Sequence, residues 1–417
     1  MTEFFKLKTP QEVLSLLKTF GPVDVETAHL TQAMGRVLAE DIAAPHDIPS
    51  FHRSSMDGYA VRARDTFGAS ENLPAFLSVV GEVKMGENVS YSLESGQTAK
   101  IWTGGMLPKG ADAVVMIEYA HALDEETVEL AKAVSPLENV IQPGDDVHAG
   151  TVLLRKGSVL RPQDLGLLAG LGIAEVSVYR RLSAAVISTG DELIGLDDPV
   201  TPGSVRDMNS YSLGGLLSEL GVTPVYLGVA KDHFGALRDK VEQGLAQADV
   251  VLLSGGSSVG ARDYTVEVFK DFPGTEILVH GISIKPGKPT ILAKMGHKAV
   301  WGLPGHAVSA MIIFSVFVRP LLRIMSGFPS EEKNLAPVVA SLERNLESAP
   351  GREEYIRVKI INSERGLTAR PILGKSGLIS TMVEADGLIR IPMEAEGLYQ
   401  GDRVEVVMFN RCGGAFL

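Results

Sequence analysis

Between about residues 182 and 327 short apolar runs alternate with stretches of helical periodicity, and this alternation limits the fold more than any other feature. Strand-like runs at 183–188, 224–229, 250–254, a weaker 276–280 and 299–302 are separated by helical patterns near 209–220, 233–247, 263–270 and 306–325. That order predicts a parallel sheet with helices on both faces, a doubly wound α/β body. The chain has 417 residues, too many for one core, so further domains are expected. Residues 336–417 alternate apolar and polar positions between Gly, Pro and Asn, as a small β-domain does. Residues 50–148 are also strand-like, while 1–45 and 150–175 carry helical or mixed patterns that predict one non-contiguous module.

Charge and cysteine content narrow the function. Acidic residues outnumber basic ones 51 to 39, a net charge of −12 that repels nucleic acid and anionic lipid. The single cysteine, Cys412, permits no intramolecular disulfide and no thiolate metal cluster, which suits a reducing cytoplasm. The nine histidines are scattered, so any metal here is expected to prefer oxygen ligands. The first twenty residues lack a signal peptide's apolar block. Instead Thr9, Pro10 and Glu12 predict a capped helix with Val13, Leu16, Leu17 and Phe20 on one face. The most apolar stretch, 307–318, is shorter than the ~20 residues of a membrane span. Arg319–Pro320 is expected to close it, so it reads as a buried helix.

In an open α/β sheet, ligands bind beyond the carboxyl ends of the strands. The strand exits here carry Ser188–Glu192, Lys231–Asp232, the loop Ser254-Gly255-Gly256-Ser257-Ser258-Val259-Gly260, and Gly302-Leu303-Pro304-Gly305-His306. Glycines in the 254–260 loop let backbone N–H groups approach a phosphate, although such turns also occur without ligand and this one lacks a Walker ending. Lys285 and Lys288 lie three apart in a loop stiffened by Pro286 and Pro289, an arrangement suited either to clamping an oxyanion or to a solvated basic loop. Glu192, Asp232 and Asp263 are expected at the same edge, where carboxylates suit Mg²⁺ held partly by substrate phosphates. Asp232 and Asp263 also fit helix N-caps.

Six motifs in order resemble one family: RSSMDGYAV (53–61), TGGMLPKGADAVV (103–115), STGDEL (188–193), SGGSSVGARDY (254–264), KPGKP (285–289) and GLPGHAVSA (302–310). Together they resemble the MoeA-type molybdopterin molybdenumtransferases, a family that includes the gephyrin E-domain. The resemblance runs the length of the chain. It implies insertion of molybdate into adenylylated molybdopterin, with Mg²⁺-dependent cleavage of the adenylate to give molybdenum cofactor and AMP. It further implies a homodimer with the active site between subunits. The subunit would comprise a linker and dimerisation domain (1–53 with 149–180), a β-rich domain reaching the partner (54–148), the pterin-binding α/β domain (181–330) and a β-barrel (336–417).

Carried over motif by motif, Lys285, Lys288 and Ser309 resemble the molybdate cradle, with Arg352 and Ser376 contributing, and Ser254, Gly255, Gly256, Gly260, Pro304 and Gly305 resemble the substrate loops. Glu192, Asp232 and Asp263 resemble the acids for Mg²⁺ and adenylate cleavage, while Asp57 and Thr103 would come from the facing subunit. One departure stands out: the family's usual GLPGNP reads GLPGHA, so a capping Asn becomes His306 and a first-turn Pro becomes Ala307. Ser257, Ser55 and Gly105 are smaller departures. Two other readings stand beside this one. A molybdopterin adenylyltransferase resembles only the α/β domain, and a gephyrin-like scaffold goes with long linkers that are absent here. A molybdopterin adenylyltransferase and molybdoenzyme acceptors are the partners that the resemblance implies.

Overall fold

The computed structural model describes residues 7–255, 261–329, 337–364 and 366–409, with the side chains of 261–263 and 363 left aside. Gly256, Gly260, Cys412 and the side chain of Asp263 therefore lie outside the described residues. The chain divides into two compact units, Met1–Ala39 with Gly157–Leu160 and Val176–Leu417, and Glu40–Lys156 with Arg161–Glu175.

The first unit contains a six-stranded sheet of β1 (Ser183–Thr189), β2 (Thr223–Ala230), β3 (Val250–Gly255), β4 (Thr275–His280), β5 (Ile291–Met295) and β6 (Lys298–Leu303), in the order β2-β1-β3-β6-β5-β4. β2, β1, β3 and β6 are parallel, as the alternating pattern predicts. β5 runs antiparallel to both neighbours, so the sheet is mixed. Gly296, with φ +62°, lies in the short turn between β5 and β6, where no crossover helix is needed.

Alternate residues of the strands feed opposite cores, as the two-residue period of a strand requires. Ala184, Val186 and Leu252 pack with Leu213 and Leu217 of α2 (Asn209–Glu219) and with Val13 and Leu17 of α1 (Pro10–Leu17). On the other side Ala185, Ile187 and Leu253 meet Leu237 and Val241 of α3 (Phe234–Gln247) and Phe269 of α4 (Ala261–Lys270). The cap of α1 is the one its sequence predicts: the Thr9 hydroxyl accepts from Glu12 N–H while the Glu12 carboxylate accepts from Thr9 N–H.

The long helix α5 (Ala307–Met325) does not stop at Arg319–Pro320. It widens into one π-helical turn at Phe314–Val318 and continues as Arg319–Met325, because the ring of Pro320 and its missing N–H are absorbed by the wider turn. By length and composition alone this helix would suit a membrane span. Its apolarity is used inside the protein: Ala310, Ile313, Phe314, Phe317 and Leu321 are buried against the sheet.

Residues after 337 form a closed barrel. Glu353–Ser363 pairs with both Gly366–Ile372 and Gly387–Ile391, and the ring is completed through Val338–Leu342 and Arg403–Met408. The short strand Ile284–Lys285 adds to the barrel in parallel, with Lys285 opposite Glu354. The lysine loop is thereby fastened to the barrel and to the α/β sheet at once.

The second unit is built on a six-stranded sheet in the order Ala113–Met116, Gly58–Val61, Gln97–Ile101, Ala75–Val83, Thr127–Leu130, Ala120–Ala122. Tyr59 and Val61 face one core and Ala60 the other, again by strand alternation. The helix Pro162–Gly170 and the Ala44, Val147 and Leu171 cluster complete this unit.

Candidate functional site

The carboxyl ends of β1, β3 and β6 open onto two cavities with a common wall. One, of about 520 Å³, is lined by Lys285, Lys288, Pro304, Ser309, Arg352 and Ser376, among others. The second, of about 360 Å³, is lined by Glu192, Asp207, Asp232, Ser254 and Gly255. Gly305 and His306 line both. Where the sequence predicts a single mouth, the structure sets Lys285, Lys288 and Arg352 in one chamber and the carboxylates, with Arg206 beside them, in the other, and joins the two at the turn after β6.

The cationic chamber is held by backbone ties. Ile282 N–H donates to the Lys288 carbonyl at 2.9 Å and the Thr290 hydroxyl donates to the Gly287 carbonyl at 2.7 Å, closing the 282–290 loop. Gly287, at φ +115°, lies where a Cβ would meet the Ile313 side chain of α5 at 2.5 Å, so the loop sits directly on the helix. The Lys285 ammonium pairs with the buried Glu354 carboxylate at 2.6 Å. An ammonium has three donors, so this pairing orients Lys285 and leaves capacity for a second anion. Lys288 forms no ion pair among the described residues. The Arg352 Nε is buried without a hydrogen-bond partner among the described residues. A buried guanidinium N–H with no acceptor costs on the order of 1–3 kcal/mol, and an anion in this chamber would supply the missing acceptor. Ser309, in the first turn of α5, is also buried, and the N-terminus of that helix adds partial positive charge.

The acidic chamber depends on an irregularity in β2. The β1–β2 register shifts by one residue between Val186 and Ile187, and Gly228 beyond the shift has φ +77°. A one-residue slip moves every later side chain to the other face, so this bulge sets the register in which Thr189 opposes Ala230. Asp232 follows directly, and its carboxylate accepts from the Thr189 hydroxyl. Asp232 is not the helix cap: His233 caps α3, its Nδ1 accepting from Ala236 N–H at 3.2 Å. Gly255, at φ +135°, brings β3 so close to β1 that a Cβ would lie 2.0 Å from the Thr189 carbonyl oxygen.

Asp207 was not anticipated as a site residue. It is buried, accepting from the Ser188 hydroxyl at 2.8 Å and from Ser210 N–H at 3.1 Å. The sequence signal for it is weak, an Asp three residues before a Ser at the start of a helix. Asn209 ties this corner to the shared wall by donating its side-chain N–H to the Gly305 carbonyl at 2.9 Å.

His306 occupies the N-cap position of α5 but makes no side-chain cap. Its Nδ1 instead lies 2.7 Å from the Ser376 hydroxyl, and Val308 N–H donates to the Ser376 carbonyl at 3.2 Å. The altered GLPGHA turn is thus held by a barrel residue rather than by an asparagine cap.

Asp57 and Thr103 belong to the second unit and meet each other. Antiparallel pairing of Gly58 with Ile101 sets the two loops side by side, and the Thr103 hydroxyl and N–H both donate to one Asp57 oxygen, at 2.7 and 2.8 Å. These bonds, the hydroxyl's first, hold the Asp57 carboxyl below the usual range.

No group of three or more His, Cys, Asp or Glu side chains forms a metal cluster among the described residues. Magnesium is commonly held by one or two carboxylates together with substrate phosphates and water. Glu192 and Asp232 on one chamber wall fit that mode.

Comparison with known proteins agrees along the whole chain. The family description "MoeA N-terminal region (domain I and II)" matches residues 8–172, "probable molybdopterin binding domain" matches 185–324, and "MoeA C-terminal region (domain IV)" matches 339–409. A molybdopterin molybdenumtransferase of Haemophilus influenzae is 35% identical over 395 residues, covering 94% of this chain and 96% of that one. One from Bacillus subtilis is 31% identical, covering 94% and 91%. Among solved structures, a molybdopterin biosynthesis MoeA protein from Pyrococcus horikosii aligns with a TM-score of 0.85 at 36% identity, covering 97% of this chain and 100% of that one.

Proposed function

The chain belongs to the MoeA family of molybdopterin molybdenumtransferases, and from that premise we propose that it inserts molybdate into adenylylated molybdopterin, releasing AMP and giving molybdenum cofactor. The observation that carries the reading is the cationic chamber with its buried, partnerless Arg352 Nε. Molybdate is a compact dianion. Lys285, Lys288 and Arg352 supply opposite charge, and Ser309 and Ser376 supply hydroxyl donors. The acidic chamber would take the adenylate end, with the Ser254–Gly255 backbone, and Gly256 and Gly260 by resemblance, facing the phosphate.

Glu192 and Asp232, with Asp263 by resemblance, would hold Mg²⁺. When bound, Mg²⁺ neutralises phosphate charge as a leaving group departs. The chain's own residues do the positioning. Thr189 fixes the Asp232 carboxylate, Asn209 and Ser376 hold the Gly305–His306 turn, and Pro304–Gly305 brings that turn to both substrates.

The rest of the proposal is a homodimer whose sites are completed by the partner's Asp57 and the partner's Thr103, working in the cytoplasm beside an adenylyltransferase and molybdoenzyme acceptors. The four-part division at 1–53 with 149–180, 54–148, 181–330 and 336–417 belongs to the same proposal. A stand-alone adenylyltransferase or a scaffold is disfavoured, because the Haemophilus influenzae and Bacillus subtilis relatives, which match over nearly the full length, are molybdopterin molybdenumtransferases. The test is incubation with adenylylated molybdopterin, molybdate and Mg²⁺. AMP and active cofactor are the expected products, and absence of both removes the assignment.

A further inference from the structure

We infer that Arg357, a barrel residue that lines neither chamber, is the positioning residue for the loop that carries Ser376 into the cationic chamber and Gly377 into the acidic one. Arg357 lies on the barrel strand Glu353–Ser363, opposite Ile372 and Leu388. Alternation along that strand turns Val358 into the barrel core and sets Arg357 on the outer face with Tyr355, which packs against Val308 and Ile312 of α5. Arg357 is 8% exposed, and its terminal nitrogens both reach the loop: one donates to the Gly374 carbonyl at 2.9 Å and the other to the Thr381 hydroxyl at 3.0 Å. The Thr381 hydroxyl in turn donates to the Leu378 carbonyl at 2.6 Å. Gly374 stands two residues before Ser376 and Leu378 two after it. A single planar group therefore holds the loop on both sides of Ser376.

The loop has little freedom between these points. Leu378 N–H donates to the Lys375 carbonyl at 3.0 Å, and a Cβ at Gly374 would already lie 3.1 Å from the Thr381 methyl carbon. What the clamp presents is Ser376, whose hydroxyl meets His306 Nδ1 at 2.7 Å and whose carbonyl accepts from Val308 N–H in the first turn of α5 at 3.2 Å. Arg352 lines the cationic chamber itself, whereas Arg357 acts one step behind it, through Ser376.

The bland explanation is that Arg357 supports the barrel. The ladder to Gly366–Ile372 and Gly387–Ile391 is made by the backbone, however, and needs no guanidinium. Arg357 forms no ion pair among the described residues, and its Nε is buried with no hydrogen-bond partner among them. Burial lowers its pKa, with no carboxylate beside it to offset the effect. A buried charge without a counterion costs stability, and an apolar side chain of similar volume would serve the barrel as well or better. An apolar side chain would not supply a rigid fork that reaches both flanks of Ser376.

The clamp stands on geometry alone, while its effect on molybdate rests on the molybdenumtransferase reading, so two readouts are taken on the full chain. The first is hydrogen exchange at the Val308 amide. It is expected to speed about tenfold in Arg357→Lys, whose single ammonium cannot span both flanks, while amides of the barrel strand Gly366–Ile372 change less than about twofold. Thr381→Val keeps the side chain's shape, removes the hydroxyl link and is expected to act in the same direction, so it decides the matter should the lysine variant not fold. The second readout is AMP release across molybdate concentrations. Arg357→Lys is expected to raise the KM for molybdate roughly tenfold and Thr381→Val roughly threefold, with kcat within about twofold, and neither adds more than about twofold in a Ser376→Ala background. Unchanged Val308 exchange, equal speeding across the barrel strands, or the same rise in KM with and without Ser376 overturns the proposal. A chain that releases no AMP at any molybdate concentration removes the molybdenumtransferase reading alone, and Val308 exchange still decides the clamp.

Discussion

The cationic and acidic chambers share the Gly305–His306 wall, yet they are assembled from opposite materials. The first uses a loop tied by its own backbone and docked on the barrel; the second uses polar side chains at the ends of parallel strands. The contrast shows why the charges are kept apart. Where a lysine does meet a carboxylate, as Lys285 meets Glu354 at 2.6 Å, one of the three ammonium donors is taken and part of the charge is offset. Had Lys288 faced Asp232 in one open mouth, the pair would have satisfied itself and left less of either for a ligand. On the proposed function, the two chambers would take an oxyanion and a metal-bound phosphate on either side of the Gly305–His306 turn.

The sharpest way to break this division is to remove a cation. Lys288→Ala is expected to lower molybdate-dependent AMP release by roughly 100-fold, the scale of losing charge-assisted hydrogen bonds worth about 1.5–3 kcal/mol. The shortfall should shrink as molybdate is raised, as measured in rate assays across molybdate concentrations. Next is Asp232→Asn, expected to slow AMP release roughly 30-fold while molybdate retention changes less than about twofold, because the substitution leaves the cationic chamber intact. Equilibrium dialysis alongside the rate assay separates the two effects.

The shared wall should behave differently from either chamber. His306→Ala removes the Ser376 contact and is expected to cost roughly 3–10-fold in both molybdate retention and AMP release, the range of one ordinary hydrogen bond. An effect confined to one chamber would show that the wall does not couple them.

The smallest expected effect lies in the second unit. Thr103→Val removes the hydroxyl donor to Asp57, so the carboxyl should rise toward its ordinary value while the remaining Thr103 N–H bond keeps part of the depression. Because the folded value is depressed, the stabilisation is present above the unfolded value and is lost as pH falls through the folded one. The valine variant should lose it at a higher pH, as followed by NMR titration of the Asp57 carboxyl.

Much of this architecture was legible in the sequence because its strands are buried on both faces and read as apolar runs. β5 escaped notice for a physical reason. Ile291–Met295 lies between a proline-rich loop and Gly296 and is joined to β6 by a short turn, so no helix announces it. At the site, Lys285 and Lys288 were legible from spacing and prolines. Glu354, which orients Lys285, is about seventy residues downstream and shows no local sign of its role. Ser376 was found only through family resemblance, and its bond to His306 depends on the barrel docking against α5. Asp207 was missed because an isolated aspartate before a helix reads as a cap, and only the fold reveals that it is buried between Ser188 and Ser210.

The division of labour between the chambers is tested most directly by measuring molybdate bound at equilibrium, with adenylylated molybdopterin present, in Lys288→Ala and Asp232→Asn side by side. The account predicts that Lys288→Ala loses molybdate while Asp232→Asn keeps it and accumulates uncleaved adenylate. Equal loss of molybdate in both variants, or loss only in Asp232→Asn, would contradict it.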